Sequence, residues 1–315
     1  MSTPSVQVLG ETPSLSKLYL NAAALAARKK LLGHHEKPEL PAVAHEVADV
    51  EIDLEKLTAY QKLFGLPVSD AVPSGYVHVL GFPLAVSLMT KDEFPLPLLG
   101  MIHLQNRVEH FGKIERSQRM DIRSWAENLS GHRAGTKVDL VVEVRAAHSD
   151  DLLWRGISTY LAKGVFLPGI DKPTTQPPKT DFAPPNPTAV WRLGADAGRA
   201  YAAVSGDFNP IHLSSLSAKA LGLRTSIVHG MYVASRALAE IGTSASDSFV
   251  WNVSFEAPVF LPATVGVRIE AEEENGPAAD AAALEGNAPK MLFVGWNQRS
   301  GRRHFTGSVE PILPN

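Results

Sequence analysis

Between Pro168 and Pro187 the chain reads PGIDKPTTQPPKTDFAPPNP, seven prolines in twenty residues. Proline fixes φ and carries no backbone N–H, so it neither continues a helix nor donates to a sheet ladder. A segment this rich in it is an extended connector. It divides the 315-residue chain into residues 1–167 and 188–315, joined by the linker 168–187.

Each part shows the same order of elements. In the second, Ala189–Leu193 reads as a strand and Asp196–Ser205 as a helix ended by Gly206. A short helix follows Asn209-Pro210, and a longer one runs from Gly230 to about Ile241. Strands are expected near 248–260, 265–272, 291–298 and 304–309, with Arg299–Arg302 as a hairpin turn and 273–290 as an acidic, alanine-rich insertion. In the first part His45–Ile52 is a strand, Asp53 caps a helix through Phe64, and a helix is expected from about Val77 to Met89. Strand-like runs follow at 98–111, 136–147 and 152–162. Small residues Ala234, Ser235, Ala237 and Ala239 suit a helix lying close on a sheet, with Leu238 and Ile241 on its apolar side. The two parts read as copies of one unit, and Tyr76-Val77-His78-Val79-Leu80 aligns with Ile227-Val228-His229-Gly230-Met231.

Only the second copy carries chemistry. Ser205-Gly-Asp207-Phe-Asn209-Pro210-Ile-His212 sets a carboxylate and an imidazole five residues apart around a helix start. Asn209 is a natural N-cap and Pro210 suits the first helical position, where a missing N–H costs nothing. Asp207 and His212 can then share one water, the minimum for general acid–base addition or removal of water. Gly230 begins the long helix, where a backbone N–H has no intrahelical partner and faces the positive end of the dipole. His229 either lines the site or is a structural imidazole, since His78 matches it in the copy without the motif. A metal held by Asp207, His212 and His229 fits by ligand type, but no HExxH or HxH spacing supports it. Between Leu57 and Gly75 there is no Asp-x-Asn-Pro-x-His, and Val79 stands opposite Gly230.

The run SGDFNPIH followed by VHGM, and then Val253-Ser-Phe-Glu-Ala-Pro258-Val-Phe260, resembles the signature of the MaoC-like hydratases. These include (R)-specific enoyl-CoA hydratases and 3-hydroxyacyl-thioester dehydratases. The resemblance covers most of the chain from about Ala189 onward. It extends less specifically to the first part through Gly81-Phe82-Pro83 and Phe94–Gly100.

The resemblance implies an α+β double hot-dog: two antiparallel sheets, each wrapping a long central helix, packed as a pseudo-dimer. It also implies reversible hydration of trans-2-enoyl thioesters in fatty-acid metabolism. In this picture Asp207 and His212 hold the water exchanged at C3. Gly230 donates to the thioester oxygen, and Asn209 fixes the turn. No cofactor is implied beyond the coenzyme A or carrier phosphopantetheine of the substrate, and the association it allows is a homodimer through the sheets. Arg224 is the candidate for the coenzyme A phosphates, with Arg299, Arg302 and Arg303 behind it; solvated turn arginines are the plainer reading of all four. The rivals are a hot-dog thioesterase, in which water attacks the carbonyl, and a non-catalytic acyl-thioester-binding or assembly subunit.

Composition narrows the remaining classes. A net charge of −3 gives no reason to expect nucleic acid or an anionic membrane as partner. With no cysteine there are no disulfides, thiolate nucleophiles or thiolate metal sites, which suits a cytoplasmic protein. No apolar run approaches a membrane span, and no signal-peptide core opens the chain. Leu15–Leu32 is amphipathic and ends in Arg28-Lys29-Lys30. It reads as a docking helix with basic residues at the favourable end, stopped by Gly33, in preference to a transit or membrane-surface segment.

Overall fold

The computed structural model describes residues 4–32, 39–173, 181–243, 248–272 and 288–312. Its elements in chain order are β1 (Ser5–Val8), α1 (Leu15–Leu32), β2 (Val43–Val50), α2 (Leu54–Leu63), α3 (Ser74–Met89), β3 (Met101–Phe111), β4 (Met120–His132), β5 (Gly135–Ala146) and β6 (Leu152–Lys163). After the proline-rich segment come β7 (Ala189–Leu193), α4 (Ala197–Ser205), α5 (Pro210–Leu213), α6 (Ser215–Ala220), α7 (Gly230–Ile241), β8 (Ser248–Phe255), β9 (Ala263–Ala271), β10 (Met291–Asn297) and β11 (Arg303–Pro311). The middle of the linker and most of the expected insertion at 273–290 lie outside the described residues.

The strands pair in the order β1-β2-β4-β5-β6-β3-β8-β11-β10-β9-β7. The two expected antiparallel sheets are continuous with one another: β3 carries β6 on one side and β8 on the other. Gln105 stands opposite Ser254 and Phe111 opposite Ser248 along that junction. Among the described strands the β1–β2 pair alone is parallel. Strand β4 is an addition to the sequence expectation. Its Met120, Ile122 and Ser124 are buried while Asp121 and Arg123 between them are less so, the period-two pattern of a half-buried strand.

Helices α3 and α7 pack against this sheet. Helix α3 packs on β2, β4, β5 and β6 and meets α4 and α7. It is buried on nearly every side, which is why its sequence shows no polar face. Gly81 lets it approach β5, since a side chain there would collide with Val142. Helix α7 buries Met231 through Ser235 on all sides of its first turns, and Ala237 and Leu238 beyond them, and Arg236 lies over the Trp191 ring of β7, 4.8 Å from its centroid. A left-handed residue, Gly242 at φ 75°, ends it.

The alignment of Val79 with Gly230 does not survive. Helix α3 begins at Ser74, ahead of the expected Val77, so Val79 lies well inside it, whereas Gly230 is the first residue of α7. The counterparts of His229 and Gly230, as N-cap and first helical residue, are Pro73 and Ser74. There the Ser74 hydroxyl accepts from two indole N–H groups, Trp154 of β6 at 3.0 Å and Trp251 of β8 at 2.9 Å. The start of α3 is sealed by aromatic rings from both halves of the sheet; no valine in place of glycine is involved.

Helix α1 has the expected bounds and docks on α3. Leu15 and Ala22, one face apart by two turns, are buried. Among the described residues no helix is long and apolar enough to cross a membrane.

Candidate active site

The site is assembled where α4 gives way to α5. Gly206 ends α4 in left-handed backbone at φ 72°, and the Asp207 N–H turns back onto Ser205 Oγ at 3.2 Å. Asn209 caps α5, its Oδ1 accepting the Ile211 N–H at 3.3 Å, with Pro210 in the first turn as expected. The Asn209 N–H donates in turn to Asp207 Oδ1 at 3.3 Å. Asn209 thus holds the turn and aims the carboxylate.

His212 is buried in this one-turn helix. Its backbone packs directly on α4 at Gly198, where any side chain would collide with the His212 carbonyl. His212 Nδ1 lies 2.8 Å from the Ile227 carbonyl oxygen. A carbonyl only accepts, so Nδ1 carries the hydrogen and Nε2 keeps a free lone pair. The acceptor is fixed in place: Ile227 N–H donates to Ile211 O at 3.1 Å, and Val228 N–H to Val259 O at 3.0 Å.

His229, the N-cap of α7, donates from Nε2 to the Asp207 carbonyl oxygen at 3.0 Å. Its ring stacks on that of His212 with 3.6 Å between centroids and 24° between planes. His229 is thus a hydrogen-bonded imidazole stacked on His212. His78 is not its counterpart, since it sits one turn into α3.

One residue of the site was not legible beforehand. Tyr19, from α1, donates its hydroxyl to Asp207 Oδ1 at 2.7 Å. It falls on the same face as Leu15 and Ala22, a pattern that foretells an inward ring without telling what the ring meets.

The electrostatics follow from burial. Burial pushes the His212 imidazole below its ordinary pKa, opposed by the Asp207 charge and the Ile227 carbonyl. His229 is pushed down to about 3 by burial and then by His212, again opposed by Asp207. Both imidazoles are neutral at neutral pH, so the 3.6 Å approach of His229 Nε2 to Asp207 Oδ2 is not an ion pair. Burial and the Asp207 charge push the Tyr19 phenol up, so it remains a donor.

Asp207, His212 and His229 bring one nitrogen or oxygen each within 4.8 Å of one another. That is room for a bridging water. It is poor ground for a metal, because lone pairs lie in the ring plane and two rings stacked at 3.6 Å cannot aim them at one point about 2 Å from both nitrogens. Gly230 opens α7 as expected. A Cβ there would stand 3.0 Å from the Phe255 ring, which would have to give by a few tenths of an ångström to admit it.

The cations expected for a phosphate carrier have other partners or are exposed. Arg224 is exposed and stacks on Phe260 at 3.9 Å. Arg303 pairs with Glu256 at 2.6 Å, and Arg299 and Arg302 are exposed in the last hairpin.

A continuous hot-dog sheet with a carboxylate and a neutral imidazole meeting at one point is an arrangement for water chemistry, and the chain's relatives place it among the hot-dog hydro-lyases. The profile of the MaoC like domain matches residues 173–282. The 3-hydroxyacyl-thioester dehydratase X of Mycobacterium tuberculosis is 37% identical over 239 residues, covering 76% of this chain and 83% of that one. The crystal structure of that organism's HtdX superposes with a TM-score of 0.70 at 32% identity, over 85% of this chain and 100% of that one. The (R)-specific enoyl-CoA hydratase of Aeromonas caviae is 36% identical over 94 residues, 28% of this chain and 70% of the hydratase. The chain belongs to the MaoC-like dehydratase family.

Proposed function

We propose that this protein catalyses the reversible hydration of trans-2-enoyl thioesters, equivalently the dehydration of (3R)-hydroxyacyl thioesters, in fatty-acid metabolism. The observation that carries the reading is the neutral His212, with Nδ1–H committed to Ile227 and a ring nitrogen within 4.8 Å of an Asp207 carboxylate oxygen.

In the hydration direction His212 Nε2 takes a proton from the water as its oxygen adds to C3. Asp207 stabilises the imidazolium that forms. Electrons moved from the C2–C3 double bond make an enolate, whose oxygen is held by the Gly230 N–H at the start of α7. The pair then returns one proton to C2. Water has been divided between C2 and C3, and the protein ends as it began. His229 and Asn209 act by holding the segment that carries Asp207.

The names of the two relatives, a thioester dehydratase and an enoyl-CoA hydratase, support this substrate class. We assign catalysis to residues 188–315 and a covering role to 1–167. The carrier is coenzyme A or an acyl-carrier phosphopantetheine, its phosphates met by Arg224. A cytoplasmic protein with no cofactor of its own, pairing through its sheets into a homodimer, completes the reading.

The experiment is incubation with crotonyl-CoA, following enoyl absorbance and free thiol together. A hydratase removes absorbance without releasing thiol. Thiol release at matching rate would mean a thioesterase, and neither change would mean a binding module.

A further inference from the structure

The geometry points to Tyr19 as a positioning residue of this active site, delivered by α1 to hold Asp207 Oδ1 so that Oδ2 faces the reacting water. The inference rests on the hydratase reading for its chemistry.

A carboxylate whose two oxygens are equivalent can rotate about its Cβ–Cγ bond. Here the two are made different. Oδ1 accepts the Tyr19 hydroxyl at 2.7 Å and the Asn209 N–H at 3.3 Å. Among the described residues Oδ2 has the 3.6 Å approach of His229 Nε2. An O–H donor to an ionised carboxylate at this distance is among the stronger hydrogen bonds a protein makes. It fixes the rotation and occupies the oxygen that does not react.

The helix is built to deliver this contact. Leu15, one turn before Tyr19, is buried at the Gly206 turn that launches Asp207. Ala22, on the same face, is buried as well, and the helix docks on α3. Near its end Arg28 pairs with Asp92 at 2.9 Å, an exposed contact of little energy. The phenol stays protonated through burial and the nearby carboxylate. The titratable groups facing Asp207 are Tyr19 from α1, His78 from α3, Tyr201 from α4, His212 from α5, Tyr160 from β6, and His229. Of these, Tyr19 alone is seen donating a side-chain hydrogen bond shorter than 3 Å to the carboxylate.

Tyr19→Phe keeps the ring and removes the hydroxyl. The expected result is a fall in kcat of roughly tenfold or more, below the loss from removing an acid–base group itself. KM should change by no more than about twofold. Unchanged kcat would make Tyr19 a packing residue and overturn the inference. A faster Tyr19→Phe enzyme would overturn it too, since the phenol would then be an obstruction. As a readout independent of turnover, fluorotyrosine at position 19 should show a fluorine resonance that moves in the Asp207→Ala protein. A resonance that does not move would also overturn the inference. Wild-type protein inactive on enoyl thioesters would count against the hydratase reading instead, with the fluorine measurement still deciding the contact.

Discussion

The His229 imidazole lies face to face with that of His212, 3.6 Å between centroids, while its Nε2 holds the Asp207 carbonyl oxygen at 3.0 Å. One side chain therefore braces both members of the acid–imidazole pair without being either of them. Neutral as it is, with its pKa held down near 3, it has no proton to give in the working range.

His229→Ala should slow hydration by roughly tenfold by freeing the Asp207 turn, a positioning loss. His229→Asn, which keeps a donor in reach of the turn, should recover part of that. The two kcat values and their pH profiles check it. A loss as deep as that of His212→Ala, with a changed profile, would show that His229 itself moves a proton.

Gly230 has two reasons to be glycine, and they can be separated. A Cβ meets Phe255 at 3.0 Å, and the same Cβ would stand beside the N–H offered to the thioester oxygen. Gly230→Ala should cut kcat/KM by roughly a hundredfold, the size of losing one oxyanion donor. Adding Phe255→Leu makes room without restoring the approach, so activity should stay low. Recovery in the double variant would show that the glycine serves packing alone.

Much of this site was legible because its parts are neighbours in sequence. Gly206, Asp207, Asn209, Pro210 and His212 form one local motif, and capping rules bring its carboxylate and imidazole together around a short helix. What was not legible came from far along the chain. Tyr19 is 188 residues from Asp207, and helical periodicity says only that it turns inward. The pairing of Val79 with Gly230 failed for a different reason. Similar tripeptides around His78 and His229 suggested one register, whereas the helix starts set another, with Ser74 and its two tryptophans at the position of Gly230. Strand β4 was missed because Asp121, Arg123 and Glu127 made a half-buried strand look like a polar loop.

Buried neutral histidines give the fold a pH dependence of definite sign. His78 is pushed down to about 4, and His103 and His229 to about 3, in each case chiefly by burial. Between those values and the ordinary ~6.5 of an unfolded histidine, the unfolded chain binds more protons than the folded one. Stability is therefore full above about pH 6.5 and is lost as the pH falls toward 4. Urea midpoints should drop from pH 7 to pH 5 with an unchanged m-value, and His78→Phe should flatten the slope. A flat wild-type profile would mean that these rings are solvated.

The most direct test is the hydration rate of crotonyl-CoA by Asp207→Asn, His212→Ala and the double variant, each shown to be folded. Each single change should cost at least about a hundredfold in kcat. The double variant should cost little more than the worse single one, because the two groups act on one water as a unit. Near wild-type turnover in either folded single variant would contradict the account, and the chemistry would have to be sought away from this pair.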